Sequence, residues 1–205
     1  MSKRSVIVVF DFDGTLIDSR DAKENNYVRA FLELFPAAAG QESTVRSSAR
    51  RTAGANRFIQ LQDTLAATGT TATDEERERW SQRYSELNNL ALHDTPEFPA
   101  VRATLEQLKS KGHRLFATSG ILESEFLGEM RRRRLGNLFE DVRGGDKETF
   151  LKQLREQNDE PLVFVGDTDF DQLTAAGAGA AFYRVTGNRD LEELPQFVST
   201  FASKK

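Results

Sequence analysis

Two short apolar runs, far apart in the chain, each end in a turn rich in aspartate. Residues 6–10 read VIVVF and lead into DFDGT, and residues 162–165 read LVFV and lead into GDTDFD. Alternation along the first strand points Asp11 and Asp13 to the same side. Carboxylates that lie close together raise each other's pKa unless a cation or a proton separates them. The pattern therefore predicts two strands of one sheet whose ends share a cation site.

The chemistry of these turns indicates a magnesium site. Ligands of open α/β sheets bind outside the carboxyl ends of the strands, and Mg²⁺ prefers oxygen ligands such as carboxylates. Asp167 is the first acid after the second apolar run, which makes it the favoured ligand from that turn. The simpler alternative is a solvated turn, since Asp and Gly are common turn formers. The second acidic turn of the same design argues against that alternative.

The rest of the sequence predicts an α/β fold with a helical insertion. Further strands are expected at residues 113–118, 141–143 and 180–185, with helical periods between them. Such alternation requires right-handed crossovers and a parallel sheet with helices on both faces. Residues from about 21 to 92 show helical periods and no strand, and residues 36–40 are expected to be a loop between helices.

Four segments resemble, in order, the four motifs of the haloacid dehalogenase-like hydrolase superfamily, most of whose members are phosphatases. They are DFDGT at residues 11–15, ATSG at 117–120, Lys147 in GGDK, and GDTDFD at 166–171. Within the superfamily the chain resembles the helical-cap members, which include phosphoglycolate phosphatases and β-phosphoglucomutases. The resemblance implies a Rossmann-like, three-layer core.

The resemblance also implies a division into domains. Residues 1–17 and 96–205 are expected to form the Rossmann-like core, and residues 18–95 the inserted α-helical cap. In the resembled family such a cap closes over the mouth of the sheet.

The resemblance assigns roles to the acidic residues. Asp11 would be the nucleophile that forms an aspartyl-phosphate, and Asp13 the general acid and base. Mg²⁺ would be held by Asp11, by the backbone carbonyl of Asp13, and by Asp167. Asp171 would support this group of ligands. The alternative for Asp171 is that it only favours the positive end of the helix that starts there.

The same resemblance assigns a phosphate-binding role to three further residues. Thr118 or Ser119 would hold a phosphoryl oxygen that is not transferred, and Ser119 is the better match. Ser119 lies between a strand and a helix, where a hydroxyl and backbone N–H groups can bind an anion; a plain helix cap is the alternative. Lys147 would bind the phosphate, since a cation at a helix start is unfavourable without an anion nearby. An exposed surface lysine is the other interpretation.

Composition limits the classes of partner and the kinds of chemistry that are open to this protein. The net charge of −4 gives no attraction to nucleic acid or to an anionic membrane. The chain has no cysteine and two histidines, which excludes thiolate chemistry and disfavours a histidine-rich metal centre. The start of the sequence has no run long enough for a signal peptide or a membrane span. We expect a cytoplasmic monomer or homodimer that acts on a small phosphorylated metabolite.

The sequence leaves the substrate and one rival activity open. Arg50 and Arg51 lie near Gly54 in the expected cap and are candidates for contacting an acidic group of the substrate. A phosphomutase shares the motifs, but sugar phosphomutases of the superfamily carry a histidine near the position of Lys23. The dehalogenases lack the acid that Asp13 supplies. The alternative outside the enzymes is a non-catalytic module that binds phosphorylated ligands.

Overall fold

The structure, a computed structural model, describes residues 4–93 and 95–203. These residues form two compact units. The first takes its described residues from Met1–Asp18 and Glu97–Lys205, and the second from Ser19–Pro96.

The first unit contains a five-stranded sheet in which every neighbouring pair of strands is parallel. The strands are β1 Ile7–Phe10, β2 Arg114–Ser119, β3 Asp141–Gly144, β4 Leu162–Gly166 and β5 Ala181–Arg184. Their order across the sheet is β3-β2-β1-β4-β5. The predicted parallel α/β fold is confirmed, and β1 lies at the centre of the sheet.

Helices account for most of the remaining described residues. In chain order they are α1 Arg20–Leu34, α2 Glu42–Arg51, α3 Arg57–Thr68, α4 Asp74–Leu92, α5 Val101–Ser110, α6 Glu123–Arg132, α7 Lys147–Gln157, α8 Asp169–Gly177 and α9 Asn188–Phe201. Short 3-10 segments occupy Pro36–Gln41 and Gly136–Leu138. Among the described residues, no helix has both the length and the hydropathy needed to cross a bilayer.

Both faces of the sheet are buried, which explains why β1 is apolar at every position. Val8 and Phe10 pack on one side in a cluster that includes residues of α5, α6 and α9. Ile7 and Val9 pack on the other side in a cluster with residues of α7 and α8. A strand buried on both faces has no polar position until it ends. Asp11, directly after β1, is therefore the first position where this segment carries a polar side chain.

The second unit is helical and has its own aromatic core. Trp80 and Tyr27 are fully buried, and their ring centroids lie 5.2 Å apart in an edge-to-face arrangement. Tyr84 stacks on Trp80 with a centroid distance of 5.4 Å. Arg57 is also buried, donates a hydrogen bond of 2.5 Å to the hydroxyl of Ser85, and lies over the ring of Tyr84.

The structure differs from the sequence-based expectations in three segments. The expected loop at residues 36–40 is the 3-10 segment Pro36–Gln41. Helix α2 lies within the range expected to be helical but was not predicted as a separate helix, and α9 was not expected. Helix α2 buries only Val45, Ser48 and Ala49, so its apolar stripe is too thin to stand out in the sequence. Helix α9 carries Pro195 in its interior, which normally argues against a helix.

Arg134, which follows α6, tests the cost of backbone strain. Its φ is 55°, a left-handed conformation that favours glycine. Arg134→Gly should raise the free energy of unfolding by about 0.5–1 kcal/mol, because relief of strain exceeds the added freedom of the unfolded chain. The midpoint of urea denaturation measures this change.

Gly69 provides the matched control for Arg134→Gly. It ends α3 with φ 64°, and a Cβ built there would meet no atom within 4 Å. Gly69→Ala should therefore lower the free energy of unfolding by about 1 kcal/mol through backbone conformation alone. A destabilised Arg134→Gly protein would contradict the strain argument.

Glu33 predicts a pH-dependent contribution to the stability of the second unit. Hydrogen bonds from Arg83 and Arg29 lower the pKa of Glu33 to about 2. A carboxylate with a depressed pKa in the folded state stabilises the fold above its unfolded pKa, and this stabilisation is lost as the pH falls from about 4.5 towards 2. Glu33→Gln should cost about 1 kcal/mol or less at neutral pH, because the pairs are exposed. Thermal unfolding at a series of pH values should show this difference shrinking in acid.

The control for Glu33→Gln is Glu78→Gln, at an exposed position on α4. We expect its difference from the wild type to be small at every pH. A difference for Glu33→Gln that stayed constant down to pH 2 would count against the assigned hydrogen bonds.

Candidate active site

Strand register brings three polar segments to one edge of the sheet. Phe10 of β1 is level with Ala117 of β2 and with Val165 of β4. The residues that follow each of these therefore lie side by side at the carboxyl edge. The backbone N–H of Asp11 still donates to the carbonyl of Val165, over 2.8 Å, and the chain then turns away at Gly14, whose φ is 78°.

A buried lysine joins two of the carboxylates at this edge. Lys147 is the first residue of α7, and its Nζ lies 2.6 Å from Oδ1 of Asp11 and 2.8 Å from Oδ1 of Asp171. All three side chains are almost completely shielded from solvent. The interpretation of Lys147 as an exposed surface residue does not fit this burial. Its ammonium group lies within an acidic cluster.

Three carboxylates converge on one small region. Asp11, Asp167 and Asp171 each offer an oxygen atom, and these atoms all lie within 4.8 Å of one another. Opposite oxygen ligands of Mg²⁺ are about 4 Å apart, since each lies about 2.1 Å from the ion. The donor set is therefore of the type and nearly of the size that Mg²⁺ requires. The hydroxyl of Thr15 also donates to Oδ1 of Asp167, over 3.4 Å.

The charges of this cluster are not balanced by the protein alone. Burial raises the pKa of Asp11, the Lys147 ammonium opposes that rise, and the charges of Asp171 and Asp167 add to it, so that the pKa lies well above its usual value. Burial by itself would lower the pKa of Lys147, but the charges of Asp11 and Asp171 outweigh burial and raise it. One ammonium faces three carboxylates, so a divalent cation would complete the neutralisation.

Asp171 is fixed by contacts at both of its oxygens. Oδ1 meets Lys147, and Oδ2 accepts hydrogen bonds from the backbone N–H and the hydroxyl of Thr168, over 3.0 and 2.6 Å. The Thr168 hydroxyl accepts in turn from the N–H of Asp171, which completes a capping box at the start of α8. Asp171 thus both caps a helix and holds the lysine.

Thr118 and Ser119 end β2, and their hydroxyls have different environments. Ser119 is the last residue of the strand, and its Oγ accepts a hydrogen bond from the N–H of Ile121, over 3.3 Å. Oγ1 of Thr118 is buried and has no hydrogen-bond partner among the described residues. A buried hydroxyl without a partner is costly. A phosphoryl oxygen of a substrate could supply the missing acceptor.

The remaining predicted site residues lie outside the three-carboxylate cluster. Asp13 is half-buried, and its backbone forms an isolated bridge with Ile17. Arg50 and Arg51 belong to the second unit, where they pair with Glu24 at 2.7 Å and with Asp63 at 2.6 Å. A substrate acid would have to compete with these carboxylates. The proposed roles of Asp13 and of the two arginines stay predictions.

Sequence reasoning gave no role to Thr15, Gly166 or Thr168. The spacing of Thr168 and Asp171 is that of a capping box, which the sequence alone could have revealed. The need for Gly166 could not have been found in this way. A Cβ at Gly166 would lie 2.6 Å from the Cβ of Asp171, a contact made only by the folded chain.

Comparisons with known proteins agree with this fold. Residues 8–185 match the family described as haloacid dehalogenase-like hydrolase. The match to a hydrolase family identifies the chain as a hydrolytic enzyme. The chain belongs to the haloacid dehalogenase-like hydrolase family, and the predictions of this family and of a hydrolase are confirmed.

Individual relatives are similar over most of the chain. Phosphoglycolate phosphatase from Aquifex aeolicus (strain VF5) is 30% identical over 187 residues, which cover 84% of this chain and 81% of the relative. A haloacid dehalogenase-like hydrolase from Bacteroides fragilis aligns with a TM-score of 0.69 at 24% identity, covering 92% and 93% of the two chains. A protein described as a β-phosphoglucomutase from Thermotoga maritima aligns with a TM-score of 0.55 at 22% identity, covering 95% and 97%. The two solved structures share the fold.

Gly166→Ala tests the close approach of β4 to α8. The new methyl group would meet the Asp171 side chain at 2.6–2.8 Å and force it to move. We expect a loss of about 1–3 kcal/mol in the free energy of unfolding, as for other overpacked sites. Thermal and urea denaturation measure the loss.

Gly128→Ala is the matched control, since a Cβ on this residue of α6 would meet no atom within 4 Å. Alanine should be neutral or slightly stabilising there, because it favours the helix more than glycine does. Equal stability of the two variants would show that Asp171 is not held as closely as described.

Proposed function

We propose that this protein is a Mg²⁺-dependent phosphatase that hydrolyses a small phosphomonoester through an aspartyl-phosphate on Asp11. One observation carries the proposal: Lys147, the buried carboxylates of Asp11 and Asp171 and the half-buried carboxylate of Asp167 lie together at the carboxyl edge of a parallel sheet. Phosphoryl transfer asks a protein mainly for positioning and charge neutralisation. This edge offers a nucleophile, a cation and an oxygen donor set for a metal in one place.

Lys147 and the end of β2 would bind the substrate phosphate. The lysine already lies 2.6 Å from Asp11, so an oxygen of the phosphoryl group would meet its ammonium as the phosphorus approaches the carboxylate. The buried hydroxyl of Thr118, which has no partner among the described residues, would donate to a second phosphoryl oxygen. Ser119 is the better match to the family motif, but its Oγ already accepts from the N–H of Ile121, whereas Oγ1 of Thr118 has no partner in the part of the chain that the structure describes. We therefore assign the main hydroxyl contact to Thr118; the hydroxyl of Ser119, which can still donate its own hydrogen, would be a second donor.

Catalysis would proceed in two displacements. In the first, a carboxylate oxygen of Asp11 forms a bond to phosphorus, the bond to the substrate oxygen breaks, and Asp13 gives its proton to the leaving alcohol. In the second, Asp13 takes a proton from water, whose oxygen attacks phosphorus and releases phosphate from Asp11. Bound Mg²⁺, held by Asp11, Asp167 and the carbonyl of Asp13, would neutralise charge on the phosphoryl group.

The named relative supports a first choice of substrate. Because the Aquifex aeolicus protein is named phosphoglycolate phosphatase, 2-phosphoglycolate is the first metabolite to test. We further propose that residues 18–95 act as a cap that limits the substrate to metabolite size, as the resemblance implies. Contacts of Arg50 and Arg51 with the substrate, a cytoplasmic location, and a monomeric or dimeric state remain predictions.

Asp11→Asn tests the nucleophile. The wild-type protein should release phosphate from p-nitrophenyl phosphate when Mg²⁺ is present and lose this activity with a chelator. Asp11→Asn should lower the rate at least about a thousand-fold, because an amide cannot form the phosphorylated intermediate. Phosphate release and trapping of an acid-stable, hydroxylamine-sensitive phosphoenzyme measure the two effects.

The matched control is Asp141→Asn, the same chemical change at a half-exposed position where β3 begins. Its rate should equal that of the wild type. Full activity of Asp11→Asn would refute the assigned nucleophile. Conversion of a sugar 1-phosphate to its 6-phosphate would favour the phosphomutase, and tight binding without turnover would favour the non-catalytic module.

A further inference from the structure

Arg184 occupies a special place beside the acidic turn. It is the last residue of the edge strand β5, and in the parallel register it lies level with Gly166, the last residue of β4. The N–H of Val185 continues the ladder by donating to the carbonyl of Gly166, over 2.8 Å. The side chain of Arg184 thus starts next to the point where the chain leaves the sheet towards Asp167.

The guanidinium group bridges three parts of that turn. Nη1 donates to the backbone carbonyl of Asp167 over 2.9 Å, and Nη2 donates to Asp169 and Gln172 over 2.7 and 2.9 Å. The central carbon of the guanidinium lies over the ring of Phe182, 5.3 Å from the ring centroid, and this contact restricts the position of the guanidinium. One side chain therefore links the loop residue Asp167 to the first turn of α8.

These contacts amount to more than a surface ion pair. The Asp169 side chain is 93% exposed, and an ion pair with such a partner contributes little on its own. The contact with the main chain of Asp167 is different, because it fixes the backbone of the residue whose carboxylate joins Asp11 and Asp171. Asp167 is held at its carbonyl by Arg184 and at its carboxylate by Thr15.

We propose that Arg184 is a positioning residue for the metal site: it fixes the turn after β4 so that the Asp167 carboxylate is arranged for Mg²⁺ before the ion binds. This inference rests on the proposed function only in its use of a divalent cation. Residues that orient metal ligands commonly affect metal affinity by about 10- to 100-fold when they are changed. Arg184 touches neither the substrate nor the reacting atoms in this assignment.

The charge of Arg184 and its hydrogen bonds are expected to affect Mg²⁺ binding in opposite directions, and this makes the proposal testable. A positive charge near a cation site weakens cation binding, so its removal should tighten the binding of Mg²⁺ if charge were the main effect. Loss of the three hydrogen bonds should instead weaken the binding, because the turn must then be ordered when the ion binds. The direction of the change separates the two effects.

The experiment is calorimetric titration of the purified protein with MgCl₂, which needs no turnover. Arg184→Ala should bind Mg²⁺ about 10-fold more weakly than the wild type, or weaker still. Arg184→Lys should show an intermediate loss, because an ammonium keeps the charge but cannot span three acceptors. Asp167→Asn should abolish binding at the site.

Arg189→Ala is the matched control. Arg189 has an 87% exposed side chain on α9 and pairs only with its helix neighbour Glu193 among the described residues. Its removal changes the net charge by the same amount, and Mg²⁺ affinity should not change. Equal or tighter binding by Arg184→Ala, with Arg189→Ala unchanged, would overturn the positioning role.

A second readout separates positioning of the ion from a general structural role. The rate of Arg184→Ala should approach that of the wild type at saturating Mg²⁺, with only the Mg²⁺ concentration for half-activation raised. A rate that stays low at saturation would overturn the proposal. If circular dichroism shows that Arg184→Ala does not fold, the Mg²⁺ affinity of Arg184→Lys becomes the test. Wild-type affinity in Arg184→Lys would refute the inference.

The outcomes also separate this inference from the proposed function. Tight binding of Mg²⁺ by the wild type without phosphate release would refute the proposed phosphatase activity. The Mg²⁺ affinities of the variants would still test the positioning role of Arg184. Phosphate release by the wild type with normal Mg²⁺ affinity in Arg184→Ala would refute the inference alone. No binding of Mg²⁺ by the wild type would overturn both.

Discussion

The contact of one buried ammonium with two buried carboxylates is the constraint on which the site depends. Lys147 lies 2.6 Å from Asp11 and 2.8 Å from Asp171, and all three are shielded from water. Removing the charge of Lys147 would leave two carboxylates buried without their partner, which is far more costly than losing a surface ion pair. The contact also ties together β1, α7 and α8. The position of the site and the packing of these elements are therefore determined together.

The site concentrates negative charge, and the surrounding structure compensates for it. Burial and the neighbouring carboxylates raise the pKa of Asp11, so the protein without a cation holds its acidic edge at a cost in stability. The sheet tolerates this because both of its faces pack against large apolar clusters. Sites that bind and react commonly reduce stability in this way. The capping box of Thr168 and Asp171 fixes the Asp171 carboxylate.

Sequence reasoning recovered the parallel sheet and the elements that carry the site, because these depend on local patterns. An apolar run followed by acids predicts a buried strand with a polar end, and alternation with helical periods predicts parallel crossovers. The helices missed were those with weak or contradictory local patterns. Helix α2 has a mostly polar sequence, and α9 contains Pro195. Tertiary packing, which a local pattern does not contain, supports both of them.

The sequence by itself determined which chemical groups are available: the acids at two strand ends, the lysine at a helix start and the hydroxyls after β2. Only the tertiary structure decided which groups touch. Strand register sets Asp11 level with the end of β4, the rotation of α8 turns Asp171 towards Lys147, and the end of β5 places Arg184 against the carbonyl of Asp167. Distances between side chains remote in sequence follow from the packing of whole elements, and residue spacing along the chain does not contain them.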